Sequence, residues 1–182
     1  MALRKAMVSS KTNEWATPQW FFDELNKEFK FTLDPCSNGN HKCNNFFTIK
    51  EDGLKQDWSK DVVFMNPPYG GNTRDWIIKA LGESKKGAVV VCLLVSATDR
   101  SYWHDYIFPH ASQIRFLRGR LRFGDADSTA PFASAIVIFS KKIYSKKIIY
   151  YEESISIIKR RLQKSKSQKT PPLYNWMFGG KE

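Results

Sequence analysis

Apolar residues in this chain gather in short continuous runs, separated by stretches with helical spacing. Val62-Val63-Phe64-Met65 is β-branched and aromatic, which predicts a buried strand. Residues 88–95 form a longer run without a polar position, the pattern of a strand covered on both faces. Residues 135–139 give a third buried strand, and shorter strands are predicted at 31–33 and 45–48. Residues 113–117 and 121–123 are expected to pair as a hairpin across Arg118-Gly119-Arg120. Trp20, Phe21, Leu25 and Phe29 recur at mostly helical spacing, with Thr17 expected as N-cap and Pro18 at the first helical position. Residues 75–85 read as a helix and 101–107 as an aromatic helical segment. Residues 143–151 read as a strand or extended arm, and 152–163 as a helix. Strands alternating with helices predict an α/β fold with a mostly parallel sheet flanked by helices. Such sheets bind ligands beyond the carboxyl ends of their strands. Asp34 and Asn66 both lie just past predicted strands, so one cleft is expected to hold both.

The chain has 182 residues, a length that suits one domain. Residues 1–12 are expected to form a flexible arm, 13–151 the folded domain, and 152–182 a basic helix and tail. Hydrophobic residues make up 42% of the chain, which excludes a disordered protein. No apolar run reaches membrane-spanning length, and residues 1–11 hold no segment of signal-peptide type, so no membrane partner is expected. Cys36, Cys43 and Cys92 form no CxxC pair, which points to reduced thiols in a cytosolic compartment. A zinc site on Cys36, His41 and Cys43 would lack a fourth ligand and the usual spacing, so no metal is expected.

The formal net charge is +11, and its placement is informative. From Lys141 onward, eleven Lys and Arg face three Glu. Arg115, Arg118, Arg120 and Arg122 form a second basic cluster. Both are the footprint of a phosphate-backbone partner, set against the simpler reading of a solubilising surface.

The strand at 62–65 ends in Asn66-Pro67-Pro68-Tyr69. Asn66 Oδ1 and the Pro67 carbonyl are two acceptors, suited to the two hydrogens of an exocyclic amine. Pro67 and Pro68 fix φ and hold those acceptors still. Tyr69 offers a face for stacking with its hydroxyl left free. The plainer alternative is a turn that follows a strand.

This tetrapeptide resembles the catalytic motif of amino-methyltransferases. Further segments occur in order: Glu14-Trp15-Ala16-Thr17-Pro18, Leu33-Asp34-Pro35-Cys36, Asp52-Gly53-Leu54, Gln56-Asp57-Trp58, and after the tetrapeptide Gly119-Arg120-Leu121-Arg122-Phe123-Gly124 and Ala130-Pro131-Phe132. The series is similar to the phage-type DNA N6-adenine methyltransferases, a compact Dam-like family, over about residues 13–140.

That resemblance implies a single-domain, Rossmann-like class I methyltransferase using S-adenosylmethionine on double-stranded DNA. It implies a phage or prophage origin and action in the bacterial host cytoplasm. Asn66, Pro67, Pro68 and Tyr69 take the catalytic positions. Trp15, Thr17, Pro18, Asp34, Cys36, Asp57 and Asn66 match cofactor positions, with Glu51 or Asp52 left as the ribose ligand. Tyr69 and Phe123 match aromatics that hold the target base, and Arg118, Arg120 and Arg122 are candidates for contacts to DNA. The first cofactor turn, Ser37-Asn38-Gly39, departs from the family in having one glycine. Several of these residues also have ordinary structural readings: Asp34 as a turn cap, Asp57 as an N-cap, Trp15 and Phe123 as core.

The implied mechanism has Asn66 Oδ1 and the Pro67 carbonyl each hold one hydrogen of adenine N6, so that the nitrogen lone pair is freed and developing positive charge is stabilised. A duplex hides N6, so the base must be flipped out. The same tetrapeptide also suits RNA and protein-glutamine acceptors. A non-catalytic nucleic-acid-binding protein with a degenerate cofactor pocket is the alternative of another class. Recognition sequence and oligomeric state are not legible in the chain.

Overall fold

A computed structural model describes residues 15–39, 41–124, 128–141 and, as backbone, 147–154. Among the described residues seven strands form one sheet: β1 (Leu33–Asp34), β2 (Asn45–Phe46), β3 (Val62–Met65), β4 (Val89–Val95), β5 (Gln113–Arg118), β6 (Ser134–Phe139) and β7 (Lys147–Ser154). Their order across the sheet is β2-β1-β3-β4-β6-β5-β7. Of these, β6 alone runs against the rest, pairing antiparallel with β4 and β5. The other pairings are parallel, as the alternation of strand and helix patterns predicts.

The helices are α1 (Gln19–Phe29), α2 (Thr73–Lys86) and a π-helical turn at Trp103–Ile107 that runs into the one-turn helix α3 (Phe108–His110). The central strand β4 shows why its run has no polar position. Val90, Cys92 and Leu94 face α2, with Trp76, Ile77 and Ala80 in the same apolar cluster. Val91, Leu93 and Val95 face the opposite layer, which holds Phe21, Phe22 and Leu25 of α1. Both faces of a period-two strand are therefore buried, at about 2 kcal/mol for each large side chain taken from water.

The start of α1 differs from expectation. Pro18, not Thr17, is the N-cap, and no side chain among the described residues caps the helix. The Pro18 carbonyl accepts from the Phe21 and Phe22 amides at 3.0 and 3.1 Å. Thr17 is turned instead toward Asn66.

The hairpin expected at 118–120 does not form. Instead β5 pairs with β6 and β7, and residues 121–123 lie outside the sheet. Leu121 and Phe123 are buried in the α1-side layer, where Phe123 meets Phe132. Burial of two large apolar side chains outweighs the ladder bonds that a short, arginine-rich strand would gain.

At the far edge, β7 carries the sheet to Ser154, three residues past the expected domain boundary. Residues 152–154 are therefore strand where a helix was expected. The remainder of that helix, the basic tail and the N-terminal arm lie outside the described residues.

Candidate functional site

The carboxyl ends of β1 and β3 open into one cavity of about 560 Å³, and Asp34 and Asn66 both line it. The neighbouring parallel strands bring the two ends together, since Leu33 is in register with Val63.

At the end of β1, Asp34 is 6% exposed. Its carboxylate accepts from the Cys36 amide at 3.2 Å and the Lys42 amide at 3.1 Å. Burial pushes its pKa up, and these two amides pull against that. The carboxylate thus ties the Cys36 and Lys42 amides to the end of the strand, and its capping and cavity-lining roles coexist. Gly39, at φ +99°, takes the left-handed conformation that favours glycine.

The two acidic candidates for a sugar ligand separate cleanly. Asp52 lines the cavity, beside Gly53, and pairs with Lys55 at 3.0 Å. Glu51 does not line it. Its carboxylate accepts from the Thr48 hydroxyl at 2.5 Å and the Thr48 amide at 2.8 Å, bonds that hold its pKa below the usual range. Gly53 permits a close approach here: a Cβ would stand 2.1 Å from the Pro35 carbonyl oxygen.

After β3, Asn66 is fixed by the segment before α1. Its Nδ2 donates to the Trp15 carbonyl at 2.6 Å and to Thr17 Oγ1 at 3.0 Å. A backbone carbonyl only accepts, so the amide nitrogen must face Trp15. Asn66 Oδ1 is then left buried, with no hydrogen-bond partner among the described residues. Two buried indole nitrogens of the cavity wall, Trp15 Nε1 and Trp76 Nε1, likewise lack partners among the described residues. A buried polar atom without a partner is costly, and the cavity concentrates three of them.

Trp15, Thr17, Asp34, Cys36, Asn66, Pro67 and Pro68 all line the cavity, as expected for one cleft. Trp76, on α2, was not singled out from sequence. Its apolar helical spacing reads as core, and only its partnerless indole nitrogen marks it otherwise.

Several expected residues stand elsewhere. Pro18 caps α1 away from the cavity wall. Asp57 accepts from the Ser59 amide at 3.1 Å and hydroxyl at 3.0 Å, so it caps a turn and does not reach the cavity. Those bonds hold its pKa low. Trp58 is fully buried behind the cavity, donates its indole N–H to the Gly53 carbonyl at 3.0 Å, and stacks on Trp76 at 6.1 Å.

Tyr69 is 3% exposed and outside the cavity wall. Its hydroxyl is not free as expected but donates to the Leu93 carbonyl at 3.4 Å. Phe123 packs edge-on against Trp15 at 5.6 Å and Tyr69 at 6.3 Å, so both expected base-holding aromatics lie in one cluster beside Asn66's support.

Arg118, Arg120 and Arg122 are exposed. Arg115, expected in the same basic cluster, is 1% exposed. It is bound to Glu28 by two nitrogens at 2.7 and 2.5 Å and donates Nε to Gln113 at 2.6 Å. Arg115 ties α1 to β5 and is withdrawn from any surface role.

Burial disfavours the thiolate at all three cysteines. Burial raises Cys36 and Cys92, and pushes Cys43 up to about 12. Among the described residues no group of three or more His, Cys, Asp or Glu is placed to hold a metal, and no helix is long and apolar enough to cross a membrane.

Comparison with known proteins bears on this arrangement. The family model described as DNA N-6-adenine-methyltransferase (Dam) matches residues 5–170. The chain is similar to a "DNA N-6-adenine-methyltransferase" of Haemophilus phage HP1 (strain HP1c1), 32% identical over 120 residues that cover 64% of this chain and 69% of that protein. It is also similar to the "Putative methyltransferase YfdM" of Escherichia coli (strain K12), 37% identical over 65 residues, 31% of this chain and 71% of that protein.

Proposed function

Since the chain belongs to the DNA N-6-adenine-methyltransferase (Dam) family, we propose that the cavity at the ends of β1 and β3 binds S-adenosylmethionine and that Asn66 receives adenine N6. The protein is a DNA adenine methyltransferase. The single observation that carries the site assignment is Asn66 Oδ1, a buried acceptor at the cavity wall with no partner among the described residues.

The cavity residues fit the cofactor. Asp52 offers a carboxylate for ribose hydroxyls, and the Trp15 and Trp76 N–H groups, without partners among the described residues, await acceptor atoms. Asp34 and Cys36 complete that wall. When bound, S-adenosylmethionine supplies an electrophilic methyl group.

The chain's own task is to prepare the amine. Asn66 Oδ1 accepts one N6 hydrogen, and the Pro67 carbonyl is assigned the other. Transfer of the methyl would form the N6–C bond as the sulfonium S–C bond breaks; positive charge would grow on the nitrogen until one N6 proton leaves to solvent, and the oxygen dipoles of Asn66 and Pro67 would stabilise that charge more than the neutral amine. Their fixed positions avoid reorganisation during the step. No thiolate is required, in keeping with three thiols whose pKa values are raised.

Double-stranded DNA is the assigned form of the substrate, with the target base flipped toward Tyr69 and Phe123. Tyr69 reaches a flipped base only if its 3% exposed ring shifts from the Phe123 and Phe132 cluster. Arg118, Arg120 and Arg122 are assigned to the DNA backbone or base edges. The sheet is read as the Rossmann-like class I methyltransferase fold in a single domain. The proposed setting is the bacterial host cytoplasm, for a protein of phage or prophage origin.

The test is transfer of a labelled methyl group from S-adenosylmethionine to unmethylated duplex DNA, followed by nucleoside analysis. N6-methyladenine is the expected product. Label that appears in RNA or protein and not in duplex DNA would overturn the substrate assignment.

A further inference from the structure

We propose that Thr17 is a positioning residue for Asn66: its hydroxyl fixes the carboxamide plane so that Oδ1 faces the incoming amine. This rests on the reading of Asn66 as the acceptor for adenine N6. It removes Thr17 from the role of helix cap and from that of polar cofactor ligand.

The asparagine torsion next to the amide is broad, with no sharp staggered well to hold the group. An amide can also sit in two orientations, of which only one presents an acceptor. The Trp15 carbonyl selects between them, because it can only accept and lies 2.6 Å from Nδ2. One hydrogen bond still lets the amide swing about its axis. The second Nδ2 hydrogen goes to Thr17 Oγ1 at 3.0 Å, and two bonds to one nitrogen define the plane.

Thr17 is suited to this by its surroundings. It is 4% exposed, and its side chain makes no capping bond to α1 although it stands one residue before the N-cap. The segment that carries it is held on three sides. The Ala16 carbonyl accepts from the Gly124 amide at 2.8 Å. The Trp15 ring packs on Phe132 at 5.1 Å and Phe123 at 5.6 Å. The Pro18 carbonyl starts α1. A hydroxyl on an anchored segment is a fixed reference for the amide.

Thr17→Val keeps the shape and removes the acceptor, Thr17→Ala removes it without an added methyl, and Thr17→Ser restores it. For valine and alanine, kcat for DNA adenine methylation is expected to fall about tenfold, the worth of one buried amide bond left unmade. Affinity for S-adenosylmethionine, measured by calorimetry, is expected to change by less than about threefold, and serine is expected to return kcat to near the starting value. A second readout needs no turnover. In protein labelled with ¹⁵N-asparagine, both Asn66 side-chain amide protons are expected to exchange slowly with solvent, and one of them to lose protection in Thr17→Val and Thr17→Ala.

Equal loss of cofactor affinity and kcat would make Thr17 a cofactor contact and overturn the proposal. So would unchanged amide exchange in the valine and alanine variants. Slow exchange that depends on Thr17, in a protein that does not methylate adenine, would uphold the positioning and refute the function assigned to Asn66.

Discussion

The Trp15 carbonyl and Asn66 Nδ2 stand 2.6 Å apart across 51 positions of the chain. This bond makes the segment before α1 part of the machinery after β3. It also sets the expected effect of Asn66→Ala. The substitution removes the oriented acceptor and leaves the rest of the cavity wall in place. Turnover is expected to fall by about a hundred- to a thousandfold, the usual cost of losing one placed dipole at the reacting group. Equilibrium binding of S-adenosylmethionine is expected to change little. If binding falls as far as turnover, Asn66 belongs to the cofactor wall.

Gly53 and Pro35 bring the two loops of the cavity floor together. A Cβ at Gly53 would meet the Pro35 carbonyl oxygen at 2.1 Å and the Trp76 ring at 3.2 Å. Backbone cannot yield as a flexible side chain does, so Gly53→Ala must push the Asp52 loop from the end of β1. Overpacking of this kind costs about 1–3 kcal/mol. The expected outcome is a lower melting temperature together with weaker binding of S-adenosylmethionine. A variant that melts lower but binds the cofactor as before would separate this loop from the cofactor site.

The contrast between Asn66 and Asp57 shows what the chain discloses before folding. Asn66 follows a continuous apolar run, two prolines fix the backbone after it, and both signals are local. The strands at 62–65 and 88–95 are legible for the same reason: burial on both faces leaves no polar position to confuse the pattern. Asp57 is an acidic residue near the right place in sequence, yet its carboxylate is satisfied two residues away by Ser59. Arg115 looks like its neighbours Arg118, Arg120 and Arg122, but a carboxylate 87 positions distant, on Glu28, draws it inside. The hairpin at 118–120 failed for a related reason, since Leu121 and Phe123 are claimed by aromatics that the local pattern does not reveal. What depends on a distant partner is not written in local spacing.

Glu83 gives a prediction in pH. It is 1% exposed and accepts from Lys79 and Lys86, each at 2.8 Å, and from the Trp58 amide at 3.0 Å. Burial raises its pKa, but the two lysines and the amide outweigh that and hold it below the ordinary glutamate value. A depressed folded pKa means stability that is present above the ordinary range and lost as pH falls through the folded value. Glu83→Gln is therefore expected to cost about 2–3 kcal/mol at neutral pH, where two charged partners lose their carboxylate. The difference from wild type should close on acidification. Thermal melts from pH 7 to pH 3 measure it, and a gap that stays constant would assign the loss to packing alone.

Glu28→Gln and the exposed arginines test opposite halves of the basic cluster. Glu28→Gln leaves the Arg115 guanidinium, 1% exposed, without its carboxylate. An uncompensated buried charge costs about 3–5 kcal/mol, so stability falls and the salt dependence of DNA binding stays as it was. Arg120→Ala and Arg122→Ala act the other way. Both side chains are exposed, so stability is kept. If they meet phosphates, DNA binding weakens at every sequence, and the slope of log affinity against log salt becomes shallower by about one for each arginine removed. If they read base edges, affinity falls at the preferred sequence more than elsewhere. Binding titrations at several salt concentrations, on duplexes with and without the methylated sequence, decide between the two. A slope and an affinity equal to those of wild type would move the DNA surface away from residues 118–122.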